Sequence, residues 1–334
     1  MSEQTLSRRS LLAGLGGTTV AVAGGATVFN STARAAGGWT EVESPTSKTI
    51  YGVSMTTQGP VAAGASGNVL QRVDGTWEIV VENGPNTRKS GLRALAVTDD
   101  GKRVWFAGSS GALGAYDVTT GTKYNYSAPE GKTSTWEAIT LTGNRDAETI
   151  HVANGSGEVL IGTTDEDGCV SWGSVTKPGS GSTIPAIDYR ESDTTVGHAV
   201  DTSSNAFETT DGGQTWKRVG IPNSQVNLND VISFTRDGTQ RVYVAAGGGK
   251  VYRLDCACML WTPTDLGSGD LLGITRSAGD KLVCGSGGQL HEKREGASWE
   301  RLTSPVSSDL NEITYGGTDY PDVAVGRSGV ILER

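Results

Sequence analysis

The sequence lacks the features that identify several large classes of protein. Of its 334 residues only four are Cys, four are Phe and three are His, and the formal charge is −9. Four cysteines are too few for a disulfide framework. The acidic balance provides no basic stripe, so nucleic acid is not expected as a partner. After residue 35 no apolar run is long enough to cross a membrane.

Glycine, by contrast, is abundant, with 48 residues. Because long apolar runs are few, the hydrophobic core has to be assembled from many short pieces, which is typical of a large all-β domain. Arg outnumbers Lys by 18 to 10. An acidic chain that is poor in Lys and rich in Thr and Gly resembles, in composition, the secreted proteins of salt-loving archaea.

Residues 1–35 are organised like a targeting segment. The pair Arg8-Arg9 directly precedes a weakly apolar stretch over residues 11–29, and Ala33-Arg34-Ala35 offers a cleavage site. The arrangement resembles a twin-arginine signal peptide, and an uncleaved membrane anchor is the alternative. We therefore predict a mature domain over residues 36–334, with a charge of −11. Its expected location is extracellular or at the cell surface, reached by the twin-arginine route.

A repeat organises the rest of the chain. The pattern apolar-x-small-apolar occurs seven times, at residues 50–53, 92–95, 136–139, 184–187, 228–231, 271–274 and 310–313. Each copy is followed by two short apolar stretches around a turn rich in Gly and Ser, as in VAAGASGNVL at 61–70. Most repeats then close on a Trp. Glycine suits such a turn because it adopts positive φ without steric cost.

Each repeat therefore predicts four short strands, which is the content of one propeller blade. The seventh repeat ends at Arg334 after its third strand, whereas Trp39-Thr-Glu-Val42 matches the closing element of the other repeats. The sequence predicts an all-β, seven-bladed β-propeller of four-stranded antiparallel blades. In this arrangement the N-terminal strand pairs with the last blade and closes the ring, which leaves no long exposed edge.

One turn carries the Asp-box pattern T-x-D-x-G-x-T-W, at Thr209, Asp211, Gly213, Thr215 and Trp216. We predict that the Asp211 carboxylate accepts backbone N–H groups one or two residues on. Gly213 permits the turn, and Trp216 packs at the sheet interface. Degenerate copies stand at residues 74–77 and 295–299. A motif that recurs between blades indicates a structural role, so it identifies the fold and not the activity.

The repeat pattern, VAxGxxGxL followed by a DGG-TW turn, resembles the photosystem II assembly and stability factors. It also resembles the wider set of neuraminidase-repeat and sortilin-like propellers. The resemblance spans residues 39–334. It implies a non-enzymatic assembly or binding protein that uses a patch of arginines on one face. An exported archaeal protein has no photosystem to assemble, so only the binding role is expected here.

Two sets of residues are candidates for binding. The first is a docking patch on the third strands of blades one, six and seven, formed by Arg72, Lys293 and Arg334. The alternative is a row of solvated charges. The second set occupies equivalent first-strand positions at the channel mouth, at Tyr51, Arg93, Glu137, Asn229, Leu272 and Asn311. The expected partner is a protein or a glycan, and the protein itself is expected to be a monomer.

The alternative function is a secreted carbohydrate-active hydrolase. Its acids would be channel-mouth carboxylates, since glycosidases need a pair of them, and the candidates are Glu137, Asp230 and Glu312. The competing interpretation has these side chains binding channel water or neighbouring backbone. The Arg-Ile-Pro signature of sialidases is absent near the mature N-terminus. We therefore favour a protein without catalytic residues and without a cofactor.

The remaining chemically versatile side chains form no recognisable motif. Three histidines share no metal-ligand spacing, so no metal is expected, and surface or turn positions are predicted for His151, His198 and His291. For Cys256 and Cys258 a soft-metal site or a disulfide to Cys284 remain open, and Cys169 is expected to be unpaired. N-glycosylation sequons stand at Asn125 and Asn154.

Overall fold

A computed structural model describes residues 38–221, 224–255 and 258–334. The predicted signal peptide, residues 1–35, lies outside the described residues. Every strand belongs to one of seven four-stranded antiparallel sheets. The predicted seven-bladed propeller is confirmed.

The strands follow one another along the chain, and each blade runs from its innermost strand outward. The first strand is β1 (Thr40–Glu41). Blade one consists of β2 (Ile50–Thr56), β3 (Gly59–Gly64), β4 (Val69–Val73) and β5 (Thr76–Val81). Blade two consists of β6 (Leu92–Val97), β7 (Arg103–Gly108), β8 (Leu113–Asp117) and β9 (Lys123–Asn125). Blade three consists of β10 (Trp136–Thr142), β11 (Thr149–Asn154), β12 (Val159–Thr164) and β13 (Val170–Trp172).

The second half of the ring repeats this order. Blade four consists of β14 (Ala186–Arg190), β15 (Asp193–Val200), β16 (Ala206–Thr209) and β17 (Lys217–Gly220). Blade five consists of β18 (Leu228–Arg236), β19 (Thr239–Ala246), β20 (Lys250–Asp255) and β21 (Leu260–Asp265). Blade six consists of β22 (Leu271–Ser277), β23 (Asp280–Gly285), β24 (Leu290–Lys293) and β25 (Trp299–Arg301). Blade seven consists of β26 (Leu310–Thr314), β27 (Val323–Gly326), β28 (Ile331–Glu333) and the N-terminal strand β1.

The ring closes where the two ends of the domain meet. Strand β1 pairs antiparallel with β28, with Thr40 opposite Glu333 and Glu41 opposite Leu332. The Val42 N–H extends the ladder by donating to the carbonyl of Ile331 at 3.0 Å. The predicted closure by the N-terminal strand is confirmed. The third strand of blade seven is thereby covered on its outer side.

The core is divided among the blade interfaces. Seven clusters of buried hydrophobic side chains occur, one between each pair of neighbouring blades. The first strands also contact one another around the whole ring, including β26 with β2. Each short apolar stretch of the repeat therefore buries its side chains against the next blade, which explains how a chain without long apolar runs assembles a core.

The turn between the second and third strands needs glycine in most blades. It is a short 3₁₀ turn at Ala65–Gly67, Ser109–Gly111, Ser286–Gly288 and Arg327–Gly329, and a fifth such turn, Pro129–Gly131, precedes blade three. Gly67 has φ of +75°, and a β-carbon there would collide with the backbone of Asn83 and Gly84. The turn of blade three has Gly157 at φ of +70°, and the side-chain oxygen of Asn154 also holds it by accepting the N–H groups of Ser156 and Glu158.

The Asp-box turn of blade four has a geometry that differs in detail from the prediction. The Asp211 carboxylate accepts the N–H of Thr215, four residues on, at 2.9 Å, and the hydroxyls of Thr215 and Thr209. These bonds lower the pKa of Asp211 to about 2. Gly213 has φ of +92°. Trp216 packs between blades three and four, and its indole N–H donates to the carbonyl of Gly213 at 3.1 Å.

Equivalent turns occur where the sequence pattern did not reveal them. Asp117 in blade two accepts the N–H groups of Thr119 and Thr120. Asp165 in blade three accepts the N–H of Cys169, again four residues on, at 2.8 Å. The same carboxylate-to-backbone contact therefore fixes the outer hairpin in at least three blades, which supports a structural role for the motif.

The prediction that the histidines occupy surface or turn positions is wrong. All three are buried and lie within the strands β11, β15 and β24. His151 stacks on Tyr189 with ring centroids 4.1 Å apart, and His198 lies 2.9 Å from the Ser233 hydroxyl of the next blade. The alternation of a strand places them inside, where residues of the next blade contact the rings of His151 and His198.

Lowering the pH is expected to destabilise the protein through His291. Burial, with a smaller contribution from Arg301, lowers the pKa of His291 to about 4. The unfolded chain takes up this proton near pH 6.5, so the stability is complete above pH 6.5 and is lost as the pH falls towards 4. The loss at pH 4.5 is about 2–3 kcal/mol. Urea unfolding at pH 7 and pH 4.5 measures it.

The matched variant for this experiment is His291→Gln, which cannot take up the proton. Because carboxylates titrate in the same range, the informative quantity is the difference in pH dependence between the wild type and the variant. Equal losses of stability in the two proteins would contradict the assignment to His291.

The described cysteines are not joined. Cys169, Cys258 and Cys284 are free thiols, so a disulfide from Cys258 to Cys284 is not formed. Cys256 lies outside the described residues. The Cys284 thiol is buried and donates to the carbonyl of Leu310 at 3.4 Å. Burial, and secondarily the carboxylates of Glu312 and Asp230, raises the pKa of this thiol, which keeps it neutral.

Candidate binding site at the channel mouth

In six of the seven repeats a β-bulge orients the side chain of the second residue of the repeat pattern. In six blades the register between the first two strands shifts at this residue, as between Ile50 and Gly52 or between Leu228 and Asp230. The bulged residues are Tyr51, Arg93, Glu137, Asn229, Leu272 and Asn311. In blade four Pro185 stands immediately before β14 at the equivalent place. A β-bulge bends its strand and re-aims a side chain.

These residues meet at one cavity. It has a volume of about 370 Å³ and is lined by residues from all seven blades, including all six bulged residues and Pro185. The structure thus brings together the predicted channel-mouth set. The lining also includes Ser54, Thr140 and Asp188.

The two asparagines of the set hold neighbouring blades together. The Asn229 side-chain amide donates to the carbonyl of Leu271 in blade six at 2.7 Å. The Asn311 amide donates in the same way to the carbonyl of Ile50 in blade one at 2.7 Å. Both acceptors directly precede a bulge, where the strand ladder is interrupted. One side-chain N–H of each asparagine is therefore already used within the ring.

Most carboxylates of the cavity also bind backbone. Asp230 is buried and accepts the N–H of Val231 and, across the blade interface, the N–H of Ile274, each at 2.8 Å. Glu312 accepts the N–H of Ile313 at 2.9 Å. Asp188 accepts the N–H of Ser233 in blade five at 2.8 Å. This is the structural role that the sequence left open for acidic residues in the first strands.

Two charged groups at the mouth differ from these. The Arg93 side chain is exposed, and its guanidinium lies 4.8 Å from the centre of the Tyr51 ring. The side chain of Glu137, in the next blade, makes no hydrogen bond or ion pair with any residue in the described part of the chain. A cation stacked on an aromatic ring beside an uncommitted carboxylate offers both signs of charge to a ligand.

The predicted docking patch has a different environment. Arg72 pairs with Glu333 at 2.9 Å, and Arg334 pairs with Glu292 at 2.9 Å and with Asp322 at 2.8 Å. Lys293 donates to the carbonyl of Ala297. The Arg334 side chain is only 10% exposed. The two arginines therefore link blades one, six and seven to each other. Their positive charges are balanced by carboxylates of the protein itself.

The described residues contain no cluster of three or more His, Cys, Asp or Glu side chains arranged to hold a metal ion. Within the same ranges no helix is long and apolar enough to span a bilayer.

Comparison with solved structures gives the same architecture. YCF48 from Cyanidioschyzon merolae superimposes with a TM-score of 0.67 at 15% identity, covering 89% of this chain and 98% of that one. YCF48 bound to D1 peptide gives 0.67 at 16% identity, with coverage of 89% and 94%. The WD40 β-propeller domain of Doa1 gives 0.68 at 10% identity, with coverage of 89% and 96%.

At these identities the likeness is one of fold. No protein-family model and no curated protein sequence matches the chain. The resemblance inferred from the repeats is therefore confirmed at the level of the propeller.

Proposed function

We propose that this protein is an exported, non-enzymatic binding or assembly-scaffold propeller that receives a segment of a protein partner at its channel mouth. The observation that carries the proposal is the cavity to which all seven blades contribute lining residues. Export rests on the arginine pair, the weakly apolar stretch and the cleavage site of residues 1–35.

The chemistry of the mouth supports a peptide ligand. Arg93 can bind a carboxylate or a carbonyl oxygen, and Glu137 can accept N–H groups or a cationic side chain. Tyr51, Pro185 and Leu272 add apolar surface at the same level of the ring. A polypeptide segment presents all of these complementary groups within a few residues. The structure of YCF48 bound to D1 peptide supports the proposal, because a propeller of the same fold takes a peptide ligand.

The channel mouth is a better candidate than the third-strand patch for an electrostatic reason. A docking patch needs charge that is available to a partner, whereas Arg72 and Arg334 already pair with three carboxylates.

Glycan binding and hydrolysis by channel carboxylates are the competing functions. A glycosidase needs two available carboxylates. Of the three candidates, Asp230 and Glu312 already accept backbone N–H groups, so only Glu137 is available.

Reversing the two free charges of the mouth is expected to abolish partner binding. The variant is Arg93→Glu with Glu137→Arg, and the measurement is affinity capture of the tagged, exported protein at native salt, followed by mass spectrometry. The bound protein should fall at least about tenfold, since two opposed charges change sign in a partly desolvated site. The free energy of unfolding should change little, because neither side chain forms an ion pair in the described part of the chain and the stacking of Arg93 on Tyr51 is exposed to solvent.

The matched control is Arg218→Glu on β17, an exposed residue on an outer strand. It should retain the partner. Equal capture by the wild type and the channel variant would contradict the proposed site. Loss of the partner in Lys293→Glu alone would place binding at the third-strand patch. Turnover of a glycan that disappears in Glu137→Gln, with the fold intact, would favour the hydrolase.

A further inference from the structure

The two N-glycosylation sequons of the domain differ sharply in accessibility. Asn125 ends β9, the outermost strand of blade two, and its side chain is exposed. Its side-chain oxygen accepts the N–H of Ser127 at 3.0 Å. Its amide nitrogen donates to no residue of the described part of the chain. The nucleophilic atom of this sequon is therefore available at the surface.

The other sequon is blocked by the fold. Asn154 is fully buried at the end of β11. Its amide nitrogen donates to the Glu158 carboxylate at 2.9 Å, and its oxygen accepts the N–H groups of Ser156 and Glu158. Both ends of this side chain hold the hairpin together. An enzyme could reach Asn154 only by opening the inner hairpin of blade three.

We infer that Asn125 is the N-glycosylation site of this domain and that Asn154 remains unmodified. The donor is a sugar joined through its anomeric carbon to a lipid-linked phosphate. The Asn125 amide nitrogen bonds to that carbon, the carbon–oxygen bond to phosphate breaks, and the lipid phosphate leaves. The amide nitrogen loses one proton, and no oxidation or reduction is involved.

Folding before export strengthens this selectivity. A chain that crosses the membrane already folded meets the transferase with its strands paired, so only surface sequons can react. The inference therefore rests on the export part of the proposed function. Strand β9 lies three strand spacings, about 14 Å, from the innermost strand. A glycan there leaves the channel mouth open, and Asn125→Gln should bind the partner as the wild type does.

Intact-mass and glycopeptide mass spectrometry of the protein secreted by its own host tests the site. The wild type and Ser156→Ala should carry the same glycan, attached to the peptide that contains Asn125. Asn125→Gln removes the acceptor of that sequon and Ser127→Ala removes its hydroxyl residue. Both variants should lose the glycan completely.

An exported protein without glycan would overturn the inference and leave the proposed function intact. A glycan on Asn154 would overturn it as well. A chain that stays inside the cell, unmodified and with its signal uncleaved, would overturn both the inference and the proposed export. The location of the protein and its mass therefore separate the two failures.

Discussion

Replacing Trp39 by Ala is expected to lower the free energy of unfolding by about 3–5 kcal/mol. Trp39 is 4% exposed and lies in the cluster between blades six and seven, directly before the closing strand β1. The Arg334 guanidinium lies 5.2 Å from the centre of its ring. Since β1 is only two residues long and both of its side chains are exposed, the buried Trp39 side chain anchors the strand at the blade interface.

Equilibrium denaturant unfolding measures the effect, with Trp39→Phe as the matched control. The Trp39 indole N–H is buried and has no hydrogen-bond partner among the described residues, so a phenyl ring removes no such bond. The Phe variant should therefore lose much less than the Ala variant. A loss below about 1 kcal/mol for Trp39→Ala would show that β1 is dispensable for ring closure.

Replacing Arg103 by Met is expected to lower the free energy of unfolding by a similar amount, about 3–5 kcal/mol. The Arg103 guanidinium in blade two bonds to Glu148 of blade three at 2.8 Å, with side-chain exposures of 3% and 0%. Without the arginine, the Glu148 side chain keeps a 3.3 Å bond from the Trp105 indole N–H. A carboxylate buried without its cation is the reason for the large loss.

The double variant Arg103→Met with Glu148→Leu distinguishes this cause from a simple loss of packing. It removes both members of the buried pair and leaves Asp146, the second partner of Arg103 at 2.7 Å, whose side chain is 41% exposed and stays solvated. The double variant is expected to recover most of the stability, because a buried ion pair exchanged for apolar side chains is often neutral. Thermal or urea unfolding of the three proteins gives the coupling free energy. Purely additive losses in the double variant would contradict the electrostatic explanation.

The fold could be predicted from the sequence because each copy of the repeat corresponds to one blade. Seven copies of one apolar pattern fix the number of blades, and the Trp39 segment predicts the closure that β1 makes with β28. The turn chemistry was predictable in type and imprecise in detail, since Asp211 bonds to a residue four positions on. Asp117 and Asp165 could have been found by looking for an Asp in every outer hairpin.

The environment of charged residues could not be predicted in the same way. Arg72 finds its partner 261 residues away in the chain, and Arg334 finds one 42 residues away, because the ring brings unrelated third strands together. The burial of the histidines was missed for the same reason, since His151 is covered by Tyr189 of the next blade. A pattern within one repeat contains no information on what the adjacent blade supplies.

The channel-mouth set lies between these cases. Equivalent positions in the repeat predicted that six residues gather at one place, and the cavity contains all six. The bulge that turns them inward depends on strand pairing and leaves no mark in the pattern itself. Which polar groups remain available was also invisible, because the amides of Asn229 and Asn311 bond to carbonyls of the neighbouring blades.

The most direct test of the account is site-specific photo-crosslinking in the native host. A benzophenone amino acid placed at Leu272 lies on the cavity wall and replaces a side chain that makes no hydrogen bond, whereas one placed at Arg218 lies on an outer strand. Binding at the channel mouth predicts a cross-linked protein partner from position 272 and none from position 218. Cross-linking from position 218 with none from position 272 would contradict binding at the channel mouth.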